Sequence, residues 1–161
     1  MKKYILLAFL TTSLTLFSQQ KPEFWDNVRF GGGFSLGFGS GTTIGISPNA
    51  IYDFNNGFSL GTGLSYQYSK YQNFITNVYG VSILGLYQIP VTDLQISTEL
   101  EQLYLNQNNG IDTYKTNYPA LHIGLAYQQG RVSFGLRYDV LYDKNKSIYA
   151  SAFSPIVRFY F

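Results

Sequence analysis

Residues 29–45 read RFGGGFSLGFGSGTTIG, and seven of these seventeen positions are glycine. A phosphate-binding loop needs glycines at fixed spacing, with a strand before and a helix after. Here the series Val28, Phe30, Gly32, Phe34, Leu36, Phe38 is apolar apart from the glycine. The alternate series Arg29, Gly31, Gly33, Ser35, Gly37 is small or polar. A period of two is the signature of a strand with unlike faces. The stretch therefore predicts a first strand and its hairpin.

The same alternation recurs along the chain. Phe58, Leu60, Leu64, Tyr66 and Tyr68 are interleaved with Ser59, Gly61, Gly63, Ser65 and Gln67. Leu121, Ile123, Leu125 and Tyr127 oppose His122, Gly124, Ala126 and Gln128. Val132, Phe134, Leu136 and Tyr138 oppose Ser133, Gly135, Arg137 and Asp139. Eight strands are expected, near 27–38, 42–54, 58–70, 76–88, 94–106, 118–128, 131–142 and 152–161. In the fourth, Tyr79, Val81 and Ile83 share one face while Leu84 and Leu86 lie on the other, so both faces are apolar. No stretch after residue 20 carries a helical stripe.

A soluble sandwich also alternates, with its apolar faces turned inward. Three features favour a membrane barrel instead. The segments are mostly ten to thirteen residues, longer than the five or six of an ordinary strand, and enough to cross a bilayer. Their polar faces are rich in Gly, Ser, Ala, Thr and Gln, which suit a narrow lumen. Aromatic residues gather at segment ends: Trp25, Tyr52, Phe54 and Phe58 towards one rim, Tyr66, Tyr68, Tyr104 and Tyr142 towards the other. That is the layout of two interfacial girdles. Lipid cannot satisfy an open sheet edge, so a spanning sheet has to close. The predicted fold is all-β, an eight-stranded antiparallel up-and-down transmembrane β-barrel. The connections NNG, IPVTD and QQG are tight and belong to the periplasmic side, with both termini periplasmic. KYQNFITN, NQNNGIDTYKTN and DKNKSIYASA are the longer outer loops. Pro48 and Pro155 fall within strands and call for a bulge or a local break.

The amino terminus, MKKYILLAFLTTSLTLFSQQ, has a positive start, a short apolar run and a small polar exit. It reads as a cleavable signal peptide over residues 1–18, leaving residues 19–161 as the barrel. The whole chain has a formal charge of +2, and removing Lys2 and Lys3 leaves as many cationic as anionic side chains. A balanced charge points away from nucleic acid. The chain has no cysteine, so no disulfide staples it.

The inward-facing charges are Arg29, Asp53, Glu99, Glu101, Arg131, Arg137, Asp139 and Arg158. If the QQG turn pairs Gln128 with Arg131, His122 lies across from Arg137, and a similar pairing through the last loop sets Arg158 beside Arg137. Two adjacent arginines need carboxylates. The expectation is a lumen network of Glu99, Glu101, Arg137 and Arg158, with Arg29, His122 and Asp139 around it, filling the bore. Eight-stranded interiors are just wide enough to be filled by side chains. No catalytic constellation, metal cluster or nucleotide motif is evident, so neither an enzyme nor a cofactor is expected.

The stretches FWDNVRFGGGFSLGFG (24–39), AIYDFNNGFSLGTGLSY (50–66), LQISTELEQL (94–103) and RYDVLYDKNKSIYASAFSPIVRFYF (137–161) resemble the small outer-membrane barrels of Bacteroidota, flavobacteria especially. Relatives of this type often carry the automatic label 2-oxoglutarate decarboxylase. That label is at odds with a chain this short that has no thiamine diphosphate motif. In architecture the chain is similar to OmpA- and OmpX-like barrels, without the peptidoglycan-binding domain of the former or the long projecting strands of the latter. The ending Val157, Phe159, Phe161 resembles the carboxy-terminal signal read by barrel-assembly machinery. The resemblance implies outer-membrane lipid and that machinery as partners, and a structural or accessory role in a larger envelope complex. The alternatives are a small transport or ligand-binding barrel and a lipid-modifying enzyme.

Overall fold

The computed structural model describes residues 23–37, 41–108, 112–144 and 151–161. The expected signal peptide and the tip of the first hairpin lie outside these residues. A one-turn helix, α1 (Glu23–Asp26), precedes eight strands: β1 (Val28–Gly37), β2 (Gly41–Asp53), β3 (Phe58–Tyr71), β4 (Phe74–Gln88), β5 (Leu94–Asn108), β6 (Thr113–Gln129), β7 (Val132–Asp139) and β8 (Phe153–Tyr160). Each strand pairs antiparallel with the next, and β8 returns to β1, so the sheet is a closed barrel.

The alternation decides which way each side chain points. Ser59, Gln95, Ser97, Glu101, His122, Ser133, Asp139 and Arg158 are buried inside. Phe34, Leu64, Ile83, Ile123 and Leu136 stand on the outer face, each more than half exposed. On β4 the ambiguity resolves in favour of Tyr79, Val81 and Ile83 outward, with Val78, Leu84 and Leu86 buried inward. Leu84 and Leu86 pack with Ile51 and Tyr160 in one apolar cluster. Val78, Leu103 and Ala120 form a second, backed by Leu105 and Tyr118. The lumen core is thus partly greasy, which a simple polar-inside rule misses.

Four strands run longer than the pattern predicts. β3 and β4 meet across Tyr71↔Phe74, so the expected loop 70–77 is a two-residue turn with Gln72 at φ 51°. Most of the expected loop 106–117 is ladder, since Asn108 pairs with Thr113. β6 has 17 residues, about 55 Å along its axis at roughly 3.3 Å per residue. β7 and β8 have only 8 each. The rim away from α1 is therefore oblique, tall on the β3–β6 side.

Two registers also differ from expectation. Gln128 pairs with Ser133, not Arg131, because the turn is the two-residue Gly130–Arg131 with Gly130 at φ 61°. Glycine at the first central position with positive φ is what a tight hairpin turn of this kind demands. His122 therefore lies opposite Asp139, and Arg137 opposite Gly124. Across the last hairpin Arg137 faces Ser154, and Arg158 faces Ser133.

The prolines sit where a ladder stops. Ser47 and Pro48 pair with Gly33 and Gly32 on β1 but have no partner on β3. The β2–β3 ladder breaks between Ile46↔Tyr66 and Asn49↔Gly63 and keeps the same register on both sides, so there is no bulge. The β1–β8 ladder consists of Gly31↔Tyr160 and Gly32↔Phe159, and Pro155 lies above it. Phe161 adds one bond, donating its N–H to the Phe30 carbonyl at 2.8 Å. This seam also explains the glycine run. A Cβ at Gly31 would meet the Phe159 carbonyl and, at 2.6 Å, the Tyr160 ring. One at Gly33 would lie 2.6 Å from the Val157 carbonyl. These glycines let β8 approach β1, rather than only clearing space across the bore.

Candidate functional site

The charged side chains of β5, β6, β7 and β8 converge on one wall of the lumen. Glu99 is the hub. Its Oε2 accepts from Arg137 Nη1 at 3.0 Å and from Arg158 Nη2 at 3.4 Å. Arg137 also donates Nε–H to Ser154 Oγ at 3.0 Å. The register places the two arginines on different strands and at different heights, yet both guanidiniums reach the same carboxylate oxygen. Their length compensates for the offset.

Glu101 lies two residues on, and its partners differ. Ser65 Oγ donates to its Oε1 at 2.6 Å. The Nε2 of His122 lies 3.6 Å from Oε2, both side chains being almost wholly buried. Gly80 makes this possible. A Cβ there would collide with Ser65 Oγ and stand 2.6 Å from Glu101 Oε1. The carboxylate reaches β3 because β4 has no side chain in between. The alternation marks Gly80 as inward, but only the cross-strand register reveals what passes over it.

Two of the expected network members lie elsewhere. Arg29 is at the amino-terminal end of β1, beside α1, and pairs with Asp53 at 2.6 Å, its side chain about half exposed. That is a rim ion pair. Asp139 closes the end of β7, with Oδ1 accepting the N–H of Leu121 at 3.2 Å and of Leu141 at 3.0 Å. It satisfies backbone donors where the β6–β7 ladder ends.

The opposite wall carries few large side chains. Gly33, Gly45, Gly63, Ser47 and Ser65 from β1–β3 face the charged side across a cavity of about 530 Å³. Glu99, Glu101, Arg137 and Arg158 all line it. At the α1 end of the lumen Leu84, Leu86, Gln95, Ser133 and Tyr160 are buried. The charged cluster therefore borders an open volume rather than filling it.

The aromatic residues fall into bands. Trp25, Phe24, Tyr52, Phe54 and Phe58 form a chain of ring contacts with centroids 5.0–5.6 Å apart at the α1 end. Tyr66, Tyr79 and Tyr104 share one row across β3, β4 and β5, and the Tyr66 and Tyr79 rings meet at a tilt with centroids 5.2 Å apart. Tyr68 lies one outward position above Tyr66, and Tyr142 follows the end of β7. At the carboxy terminus Phe159 stacks on Phe34 at 5.9 Å, Val157 is outward and Phe161 is exposed.

Among the described residues no group of three or more His, Cys, Asp or Glu side chains has the arrangement of a metal site. The arrangement of paired carboxylates and guanidiniums can hold opposite charges at fixed positions in a low-dielectric bore. No protein-family model matches the chain, and no curated protein matches it.

Proposed function

We propose that this protein is a non-enzymatic outer-membrane β-barrel, with its signal peptide removed and both termini in the periplasm. It acts as a structural or accessory subunit of an envelope complex, with a bore that side chains close to free passage. The observation that carries this reading is the outer face. Phe30, Phe34, Ile46, Leu64, Ile83, Leu100, Ile123, Leu125 and Leu136 are exposed, and they are distributed around the barrel. Soluble monomers rarely leave so continuous an apolar surface in water. A bilayer removes that cost, and a closed sheet leaves no edge for lipid to face. The aromatic bands at two heights fit headgroup regions. The buried cluster below the cavity supports a barrel that is shut at its periplasmic end.

The test has two arms. Residues 19–161, refolded from urea into phospholipid vesicles, should give a heat-modifiable gel shift and no discrete conductance steps in a planar bilayer. Ile83→Arg should weaken insertion by about 2–4 kcal/mol, the cost of a cation on the lipid face at mid-depth. Gentle detergent extraction from cells, followed by pull-down and mass spectrometry, should recover a stoichiometric envelope complex. Refolding without vesicles into a soluble monomer, or stable open-channel currents, would overturn the reading.

A further inference from the structure

The ladder break at Pro48 separates two volumes. Inside is the cavity beside the charged wall. Outside, on the lipid-facing surface under the proposed function, is an apolar groove of about 330 Å³ bounded by Pro48, Leu64, Val81, Tyr79 and Tyr104. Ile46, Pro48, Leu64, Ser65 and Tyr66 border both volumes. Proline supplies no N–H. The Leu64 carbonyl therefore lacks the donor that any other residue at position 48 would offer. This is the one interruption in the β2–β3 ladder among the described residues, and it sits between the two concavities.

The inner volume is built for charge of both signs. Arg158 is nine-tenths buried, and its Nη1 has no hydrogen-bond partner. Its other terminal nitrogen shares a single Glu99 oxygen with Arg137. The carboxylates of Glu99 and Glu101 border the same space. A simple anion entering here would meet two carboxylates, and a simple cation would meet two guanidiniums. A group bearing both charges finds a partner for each.

From this we infer that the Pro48 break is a binding site for a zwitterionic membrane phospholipid. One acyl chain lies in the outer groove, and the head enters through the interrupted ladder. The phosphate is held by Arg158 and Arg137, and the ammonium by Glu99 and Glu101. The site rests on the membrane reading but adds a ligand and a place for it. Its location just below the row Tyr66–Tyr79–Tyr104 sets the head near the outer girdle, where a phospholipid keeps its polar part.

The experiment is native mass spectrometry of the folded barrel in a non-ionic detergent. The probes are lysophosphatidylethanolamine and lysophosphatidylglycerol with identical chains, and dodecanol as a tail without a charged head. Folding is checked first by heat modifiability, so a failed barrel is told apart from a failed site. The zwitterionic lysolipid should bind at least ten-fold tighter than the other two. Pro48→Val, which restores an N–H to the ladder, should weaken it at least ten-fold. Val81→Trp, which fills the groove from outside and leaves the bore unchanged, should do the same. Equal binding of all three probes, or wild-type binding by both folded variants, would overturn the site. Absence of insertion into vesicles, with selective binding retained in detergent, would instead overturn the membrane reading alone.

Discussion

Replacing Glu99 by Gln removes the charge on which two guanidiniums converge and leaves the side chain almost unchanged in size. The size of the effect follows from burial. An exposed ion pair is worth about 0–1 kcal/mol. Breaking a buried one costs about 3–5 kcal/mol, because the remaining charge stays desolvated. Arg158 has 8% of its side chain exposed and Glu99 15%, which favours the buried regime. Arg137, at 20%, faces the cavity and recovers some hydration. The expected loss is therefore at the low end, about 3 kcal/mol. With a urea slope of about 2 kcal/mol per molar, the unfolding midpoint falls by roughly 1.5 M. Trp25 is the only tryptophan and sits in the aromatic chain at the rim, so its fluorescence reports loss of the barrel. Arg29→Gln is the internal reference. It removes an ion pair of good geometry at a half-exposed site and should cost under about 1 kcal/mol. The double variant Glu99→Gln with Arg137→Met should recover part of the loss, since one buried charge disappears with its partner. A Glu99→Gln midpoint shift no larger than that of Arg29→Gln would refute the assignment of Glu99 as the hub.

Two further substitutions probe the glycines. Gly80→Val should push Glu101 off Ser65 and destabilise the barrel by about 1–3 kcal/mol, the usual cost of overpacking, as read by the same urea titration. Stability equal to the wild type would mean that Glu101 has another route. Gly31→Val should block closure of β1 against β8, abolishing the heat-modifiable gel shift while leaving β-rich circular dichroism. A normal gel shift would show that the seam tolerates a side chain.

The eight strands, their facing and the closed topology were legible because barrel strands, with one face inward and one outward, write a period of two along their length. What the pattern could not show is instructive. The segment Asn106–Asn108 and its partner Thr113–Lys115 carry little apolar alternation, so they read as loop. These residues are mostly polar on both faces, so no alternation marks them as strand. Turn geometry set a second limit. Gln129, Gly130 and Arg131 are compatible with more than one hairpin, and moving the turn shifts every pair above it, as at His122 and Arg137. The charged cluster was legible as a set of inward residues. That Glu99 holds both arginines, while Glu101 crosses Gly80 to Ser65, depends on side-chain reach and on which neighbour lacks a Cβ. Arg29 has the same inward parity as the cluster. Its rim position brings it to Asp53 instead.

The β1–β8 seam has a consequence for how the barrel is made. Seven of the eight pairings join neighbours in the chain and close only short hairpins, whereas Gly31↔Tyr160 links positions near opposite ends of the described chain. Loop-closure entropy rises with the length of chain enclosed, and non-local contacts form late. The joint that encloses the longest stretch of chain is also the one with the fewest rungs. A meander running from β1 to β8 can therefore build up as a curved open sheet with its two end edges apart. The final step is then a short zipping event led by glycines and the carboxy-terminal residue. Forces that act on Phe161 address this step directly. The β8 edge, meeting β1 at Gly31 and Gly32, is the latch that turns a ribbon into a tube.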